Sequence, residues 1–291
     1  MADHIIPILL LPQHAKVTTS TLPLLKAIQK VLNESYTAKY CAHPEIFGTN
    51  HIRLGDPAQL AEIIGEDGFT IVLLRVSLVG TNQKRQVCEV VATGSVKDFG
   101  DEDVETYVQW SKNLGGRDWI EKQQQQQQQQ RDGSEQVAEQ EQRKGKVQKY
   151  EVTAFAVSPH CQASGLGAQV LKEIRWLLSD DGSGHGSRLQ HIIANGVIMT
   201  DGLELAGSLP IEGIDLDRHK ETEASTDIEK AAVDLQNVPK LKLVLMVIRE
   251  LGTESYYQRR GFKTVWSGTV PVGMWDCRKE CTMVYMEMEL T

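Results

Sequence analysis

Gln162-Ala163-Ser164-Gly165-Leu166-Gly167 is the stretch on which the reading of this chain turns. It follows a strand-like run, Tyr150 to Val157, and opens a helix-period apolar run, Leu166 to Leu178. A strand that ends in a glycine-bearing turn and passes straight into a helix makes an anion cradle. The first N–H groups of the helix lack intrahelical acceptors, and the helix dipole adds partial positive charge there. Gly165 and Gly167 remove the Cβ atoms that would keep a phosphate off the backbone. A phosphate-bearing ligand is therefore expected at this turn.

The whole chain sets the bounds. A length of 291 residues allows one or two domains, and 41% hydrophobic residues suit a protein with a packed core. The formal net charge of -8 argues against nucleic-acid binding, which needs a basic face. Five scattered cysteines form no disulfide framework and suit a reducing compartment, cytoplasmic or nuclear rather than secreted. Cys277 and Cys281 are the one close pair. No second Cys/His pair stands nearby at zinc spacing, so no metal is expected. The run Ile5 to Leu11 is broken by Pro7, closed by Pro12 and lacks a basic flank. It is expected to be neither a signal peptide nor a membrane anchor.

Outward from the turn, the pattern predicts alternating strands and helices. Ile5 to Leu11 reads as a first strand. Thr18 to Tyr36 reads as a helix with Leu24, Leu25, Ile28, Val31 and Leu32 on one face, and Asp56-Pro57 opens a short helix through Ile64. Phe69 to Val76 and Val87 to Val96 are strand candidates around a turn at Gly80-Thr81-Asn82. Leu241 to Ile248 is a continuous apolar run, suited to the middle of a sheet. Thr253 to Arg260 is a short helix ended by Gly261, followed by strands over Phe262 to Trp266 and Thr282 to Met288.

Two stretches break the pattern. Residues 100–149 hold the glutamine tract Gln123 to Gln130 in a polar, charged context. Such composition buries too little apolar surface to offset chain entropy, so an exposed insertion is expected, with a protein-interaction tract as the alternative. Val104 to Ile120, with Tyr107, Trp110 and Trp119, is expected to dock on the core. Residues 180–240 form a second insertion, with a flexible Gly182–Gly186 loop and a helix over Thr226 to Leu235.

The run from Tyr150 through Gly167 resembles the acetyl-CoA-binding segment of the GCN5-related N-acetyltransferase (GNAT) superfamily: a strand, then Gln/Arg-x-x-Gly-x-Gly/Ala, then a helix. Ser255-Tyr256-Tyr257-Gln258-Arg259-Arg260-Gly261-Phe262 is similar to the family's second signature, an aromatic–Tyr pair before Gly-Phe. The two motifs stand in the family's order, and the confident likeness covers 150–180 and 241–289. It implies a mixed α/β fold: a central, mostly antiparallel sheet with one splayed parallel strand pair and helices on both faces. The whole chain, 1–291, is then one acetyltransferase domain with two long insertions.

The resemblance also implies a cofactor and roles. The backbone N–H groups of Gln162, Ala163, Ser164, Gly165, Leu166, Gly167 and Ala168 would hold the acetyl-CoA pyrophosphate. The backbone of Phe155, Ala156 and Val157 would pair with the pantetheine arm. Transfer is direct: a neutral amine attacks the thioester, a base takes its proton, the leaving thiolate receives one, and a strand N–H polarises the carbonyl. Tyr257 falls where many members carry the Tyr that protonates the thiolate, and a phenol is a neutral donor at pH 7. Tyr256 is expected in the core. Glu151 stands eleven residues before Gln162, where some histone-acetylating members place a catalytic glutamate. A carboxylate on a buried strand is a better base than an exposed one. The other reading of Glu151 is a strand-edge carboxylate facing water.

The sequence also departs from the family. Glu250 stands where many members have Asn, and Ser164 stands where Arg or Lys is usual. His160 is expected to be an exposed turn residue, and Cys161 a plain turn residue. The function implied is an acetyl-CoA-dependent N-acetyltransferase acting on a primary amine. The amine itself is undefined: small molecule, peptide N-terminus or lysine. The alternative is an acyl-CoA-binding sensor or scaffold of the same fold, without turnover, that uses the glutamine-rich insertion as its arm. A dinucleotide-binding α/β protein would want Gly-x-Gly-x-x-Gly, which is absent at 162–168.

Overall fold

Strand-length apolar runs from both ends of the chain enter one sheet. The computed structural model describes residues 4–48, 52–79, 85–99, 147–179, 187–189, 204–205, 241–274 and 277–290. The first half supplies β1 (His4–Leu10), α1 (Leu22–Cys41), α2 (Gln59–Ile64), β2 (Phe69–Val79) and β3 (Arg85–Asp98). Next come β4 (Gln148–Val157), a 3-10 turn (Pro159–Cys161), α3 (Leu166–Leu178) and the two-residue β5 (Glu204–Leu205). The chain closes with β6 (Leu241–Ile248), a 3-10 turn (Arg249–Leu251), α4 (Glu254–Gln258), β7 (Lys263–Val270) and β8 (Cys281–Leu290).

Among the described residues the sheet has eight strands, in the order β5-β1-β2-β3-β4-β6-β8-β7. Neighbours are antiparallel except at β1–β5 and β4–β6, which are parallel. Alternation along the strands divides the core between the two faces. Ile8, Leu10, Val72 and Leu74 pack with Leu25, Ile28 and Leu32 of α1 and Leu60 of α2. Leu9, Ile71 and Leu73 pack on the other face with Val170, Leu171, Ile174, Leu177 and Leu178 of α3. The spacing of that last set is the 3.6-residue period read in the sequence, and each such side chain contributes about 1.5–3 kcal/mol on burial.

The mixed sheet and its parallel pair β4–β6 are those the resemblance implies; the two-residue parallel contact β1–β5 is additional. β6 lies between β4 and β8, which explains why its sequence is apolar on both faces. α1 continues to Cys41, five residues beyond the expected end at Tyr36, because Tyr40 returns to the buried face four residues later. β3 reaches back to Arg85 and β8 runs on to Leu290. β5 has no counterpart in the sequence reading; two residues cannot show a period. The Gly80-Thr81-Asn82 turn, the glutamine tract, the Val104 to Ile120 stretch, the Gly182–Gly186 loop and the Thr226 to Leu235 helix lie outside the described residues. No helix among the described residues is long and apolar enough to cross a membrane.

Candidate active site

β4 and β6 are paired only at their starts. The register runs from Gln148↔Leu241 to Glu151↔Val244 and stops there. Beyond it the strands part, so Val152 to Val157 keep β3 on one side and lose β6 on the other. A bulge sharpens the parting. Thr153 faces Ser95 and Ala156 faces Thr93, so Ala154 and Phe155 together oppose Gly94. Ala154 takes up the extra residue with φ +42, a sparsely populated conformation for a residue with a side chain. Gly94 is required opposite it. A Cβ there would stand 2.6 Å from Val170 Cγ1 and 2.9 Å from Phe155 Cδ2.

The turn after β4 is open to solvent from Gln162 to Gly165. Ala163 and Gly165 have φ +62 and +87, and such left-handed positions curl successive N–H groups toward one point. The amides of Ala163 to Gly167 have no acceptor among the described residues. The Ala168 N–H, by contrast, donates to the Gly165 carbonyl at 2.9 Å. The Ser164 hydroxyl turns back to donate to the Cys161 carbonyl rather than outward. His160 is exposed and Cys161 buried; all five cysteines are free thiols.

α4 brings two tyrosines to this turn. Tyr257 is buried, with its ring meeting Phe155, Tyr256 and Phe262 edge-on at centroid distances of 6.1, 5.1 and 5.7 Å. Burial, and then the neighbouring Tyr36 and Tyr256, push its phenol well above the usual range, so it is protonated at neutral pH. Tyr256, expected in the core, packs half-buried against it, and its buried hydroxyl reaches toward Gly167 of α3 and has no hydrogen-bond partner among the described residues. The Arg260 guanidinium covers its ring at 3.4 Å from the centroid, and Arg260 Nη1 donates to the Tyr256 carbonyl at 2.8 Å.

One cavity of about 770 Å³ joins these parts. Its lining runs along β4 from Glu151 to Val157, along the turn through Ala168, and includes Leu245 to Ile248, Tyr256, Tyr257 and Arg260. The expected site residues Glu151, Phe155, Ala156, Val157, Gln162, Ala163, Gly165, Leu166, Gly167, Ala168 and Tyr257 all line it; Ser164 does not. Glu151 is 8% exposed, so it is no strand-edge carboxylate facing water. Its Oε2 forms an ion pair with Lys97 Nζ at 2.9 Å, without the geometry of a hydrogen bond. Glu250 is spent elsewhere: both its oxygens accept the Thr282 N–H, at 2.9 and 3.0 Å.

Four polar lining residues that the sequence reading did not place at the site are Tyr36, Lys39, Arg53 and Arg260. Only Arg260 had a local signal, its place inside the second motif. Among the described residues no group of three or more His, Cys, Asp or Glu stands close enough to hold a metal ion.

No family model matches the sequence, and no curated protein matches it. Among solved structures, the chain is similar to Arabidopsis thaliana NAA60 in complex with a bisubstrate analogue, at 9% identity, with 100% of each chain covered and a TM-score of 0.43. An agmatine N-acetyltransferase is 11% identical over 98% of this chain and 99% of its own, with a TM-score of 0.42. An N-acetyltransferase from Staphylococcus aureus is 8% identical over 100% of this chain and 99% of its own, with a TM-score of 0.40. Likenesses this distant say nothing of chemistry. The mixed sheet, the splayed parallel pair β4–β6 and the two motifs on either side of the splay match what the sequence resemblance implies: the chain has a GNAT-like fold.

Proposed function

We propose that the protein is an acetyl-CoA-dependent N-acetyltransferase that moves an acetyl group directly to a primary amine, with residues 1–291 acting as one catalytic domain. The observation that supports this most is the continuity of one cavity from the turn at Gly165 and Gly167, along the unpaired edge of β4, to Glu151 and Tyr257. The residues present fit the donor. Five consecutive amides have no acceptor among the described residues, and Gly165 leaves open space where a Cβ would stand in the way of an approaching phosphate; at Gly167 that space is taken by the Tyr256 hydroxyl.

In this reading the amides of Ala163 to Gly167 hold the pyrophosphate, with Gln162 and Ala168 flanking it. The free edge of Phe155, Ala156 and Val157 offers strand-like pairing to the pantetheine arm. Acetyl-CoA supplies an acetyl thioester at the splay. Glu151 accepts the proton that the acceptor amine sheds. Tyr257, kept protonated by its buried position, donates a proton on the leaving-group side. The Lys97 ion pair keeps Glu151 in place until a cationic amine arrives to compete for it.

Release of free thiol from acetyl-CoA by the purified chain, across a panel of primary amines, tests the proposal. Turnover with at least one amine supports it. CoA binding with no turnover on any amine would favour the scaffold reading, for which no observation among the described residues speaks.

A further inference from the structure

Thr153 stands two residues after Glu151 on β4, on the same face of the sheet and about 7 Å along the strand. Arg53, from the loop between α1 and α2, lies over it. Arg53 Nη2 is 3.5 Å from Thr153 Oγ1, and its Cζ is 5.6 Å from the centroid of the Tyr36 ring. Arg53 Nε is buried with no hydrogen-bond partner among the described residues. Lys39, one turn beyond Tyr36 on α1, lines the same end of the cavity. Burial holds its ammonium below the usual lysine range. Glu151 is the one carboxylate in the described lining, and Lys97 already holds it at 2.9 Å. Although the chain carries a net charge of -8, this end of its cavity offers two cations and no anion left over.

A guanidinium partly withdrawn from water with unspent donors is costly. An arriving anion relieves that cost. The planar fork of arginine matches a carboxylate in two hydrogen bonds. The phosphates of the donor are poorly placed to be that anion. Their cradle begins beyond Val157, four residues and about 13 Å further along β4. A second guanidinium, Arg260, already stands at that end, over Tyr256.

We infer that the acceptor is a small primary amine that carries a carboxylate, in the manner of a free amino acid, with its amine at Glu151 and its carboxylate on Arg53. A polyamine, or a lysine in a basic tail, would bring further positive charge to Arg53 and Lys39 and is disfavoured. The placing of the amine rests on the acetyltransferase reading; the placing of the carboxylate does not.

Matched pairs of amines test this with the full chain. Thiol release from acetyl-CoA is measured for alanine against ethylamine, leucine against isopentylamine, phenylalanine against phenethylamine and lysine against cadaverine. For at least one pair the amino acid is expected to exceed its decarboxylated partner by about 10-fold or more in kcat/KM, a typical yield for one charge-assisted contact. Arg53→Gln should bring that ratio to near 1, and Arg53→Lys should leave it in between. Circular dichroism and CoA binding check that both variants fold. Equal turnover within every pair would overturn the inference while leaving the acetyltransferase reading intact, as would an Arg53→Gln variant that keeps the wild-type ratio. Calorimetric titration of the same amino acids into CoA-loaded protein separates the two readings. Amino-acid binding that Arg53→Gln weakens about 10-fold, with no turnover, would keep the carboxylate site and remove the enzyme. Neither binding nor turnover across the panel overturns the inference.

Discussion

The Tyr256 hydroxyl occupies the space that Gly167 leaves open: a Cβ at 167 would stand 2.5 Å from it. The hydroxyl is buried, and the Arg260 guanidinium covers the ring, so Tyr256 has little freedom to withdraw. Gly167→Ala is therefore expected to cost roughly 1–2 kcal/mol, in the range of overpacked sites. Tyr256→Phe in the same chain removes the clashing oxygen and should recover most of that cost, so the two substitutions are non-additive. Urea unfolding of the single and double variants measures this. Additive losses would mean that the two residues do not meet.

Gly165 opens α3 with φ +87, and a Cβ there would touch nothing within 4 Å. Gly165→Ala and Gly165→Asp share the backbone strain, about 1–2 kcal/mol. Only the aspartate adds negative charge against the free amides. Gly165→Asp should weaken CoA binding about 100-fold relative to Gly165→Ala, close to 3 kcal/mol. Isothermal titration with CoA compares them, and equal affinities would place the phosphates elsewhere.

Tyr257→Phe removes one oxygen from a ring that Phe155, Tyr256 and Phe262 hold in place. The packing survives, so CoA affinity should stay within a factor of about 2. Turnover should fall about 10–100-fold if the phenol donates the proton. Because burial keeps that phenol protonated, the deficit should persist across the neutral pH range. Undiminished turnover in steady-state assays would take Tyr257 out of the chemistry.

Glu151→Gln keeps the shape and removes the base. Turnover at pH 7 should drop about 100-fold. The deficit should shrink as pH rises toward the ordinary amine range, near 10, where solvent deprotonates the acceptor unaided. A pH series from 7 to about 9.5 reads this out. A deficit that stays constant with pH would indicate that Glu151 positions the acceptor and does not take its proton.

Much of this arrangement was legible in the residues. Leu166 to Leu178 announced its helix by period, and Leu241 to Ile248 its central place by an unbroken apolar run; both bounds hold. The candidate site was legible where it follows local backbone chemistry, in the glycine turn and in Tyr257 of the second motif. It was not legible where it depends on tertiary approach. Arg53 belongs to a loop with no period, and only the fold brings it over Thr153, a hundred residues away. The bulge lay between these extremes. Ala154 carries no mark of a positive φ, but a glycine inside a strand, Gly94, is a recognised sign of one.

The splay needs a fixed root, and Glu287 supplies it. Lys149 and Lys242 stand directly opposite one another in the short stretch where β4 and β6 pair. Like charges so placed repel. Glu287 of β8 meets Lys149 at 3.0 Å and Lys242 at 2.7 Å, and accepts the Tyr285 hydroxyl at 3.0 Å. Burial alone would raise its carboxyl, but the hydrogen bonds from Lys242, Lys149 and Tyr285 outweigh burial and hold it below the usual range. The unfolded chain therefore binds this proton more tightly, and the contribution to stability is complete above the ordinary carboxylate value and lost as pH falls through the lowered one. Glu287→Gln should cost roughly 2–4 kcal/mol at pH 7, near the range for one partner lost from a buried ion pair. The difference from wild type should narrow progressively as pH falls below the ordinary carboxylate value of about 4.5, because the unfolded wild-type chain takes up the proton first. Denaturant unfolding of both proteins from pH 7 to 3 measures it. A difference that stayed constant over that range would mean that Glu287 acts through packing and not as the anion that joins β4 to β6.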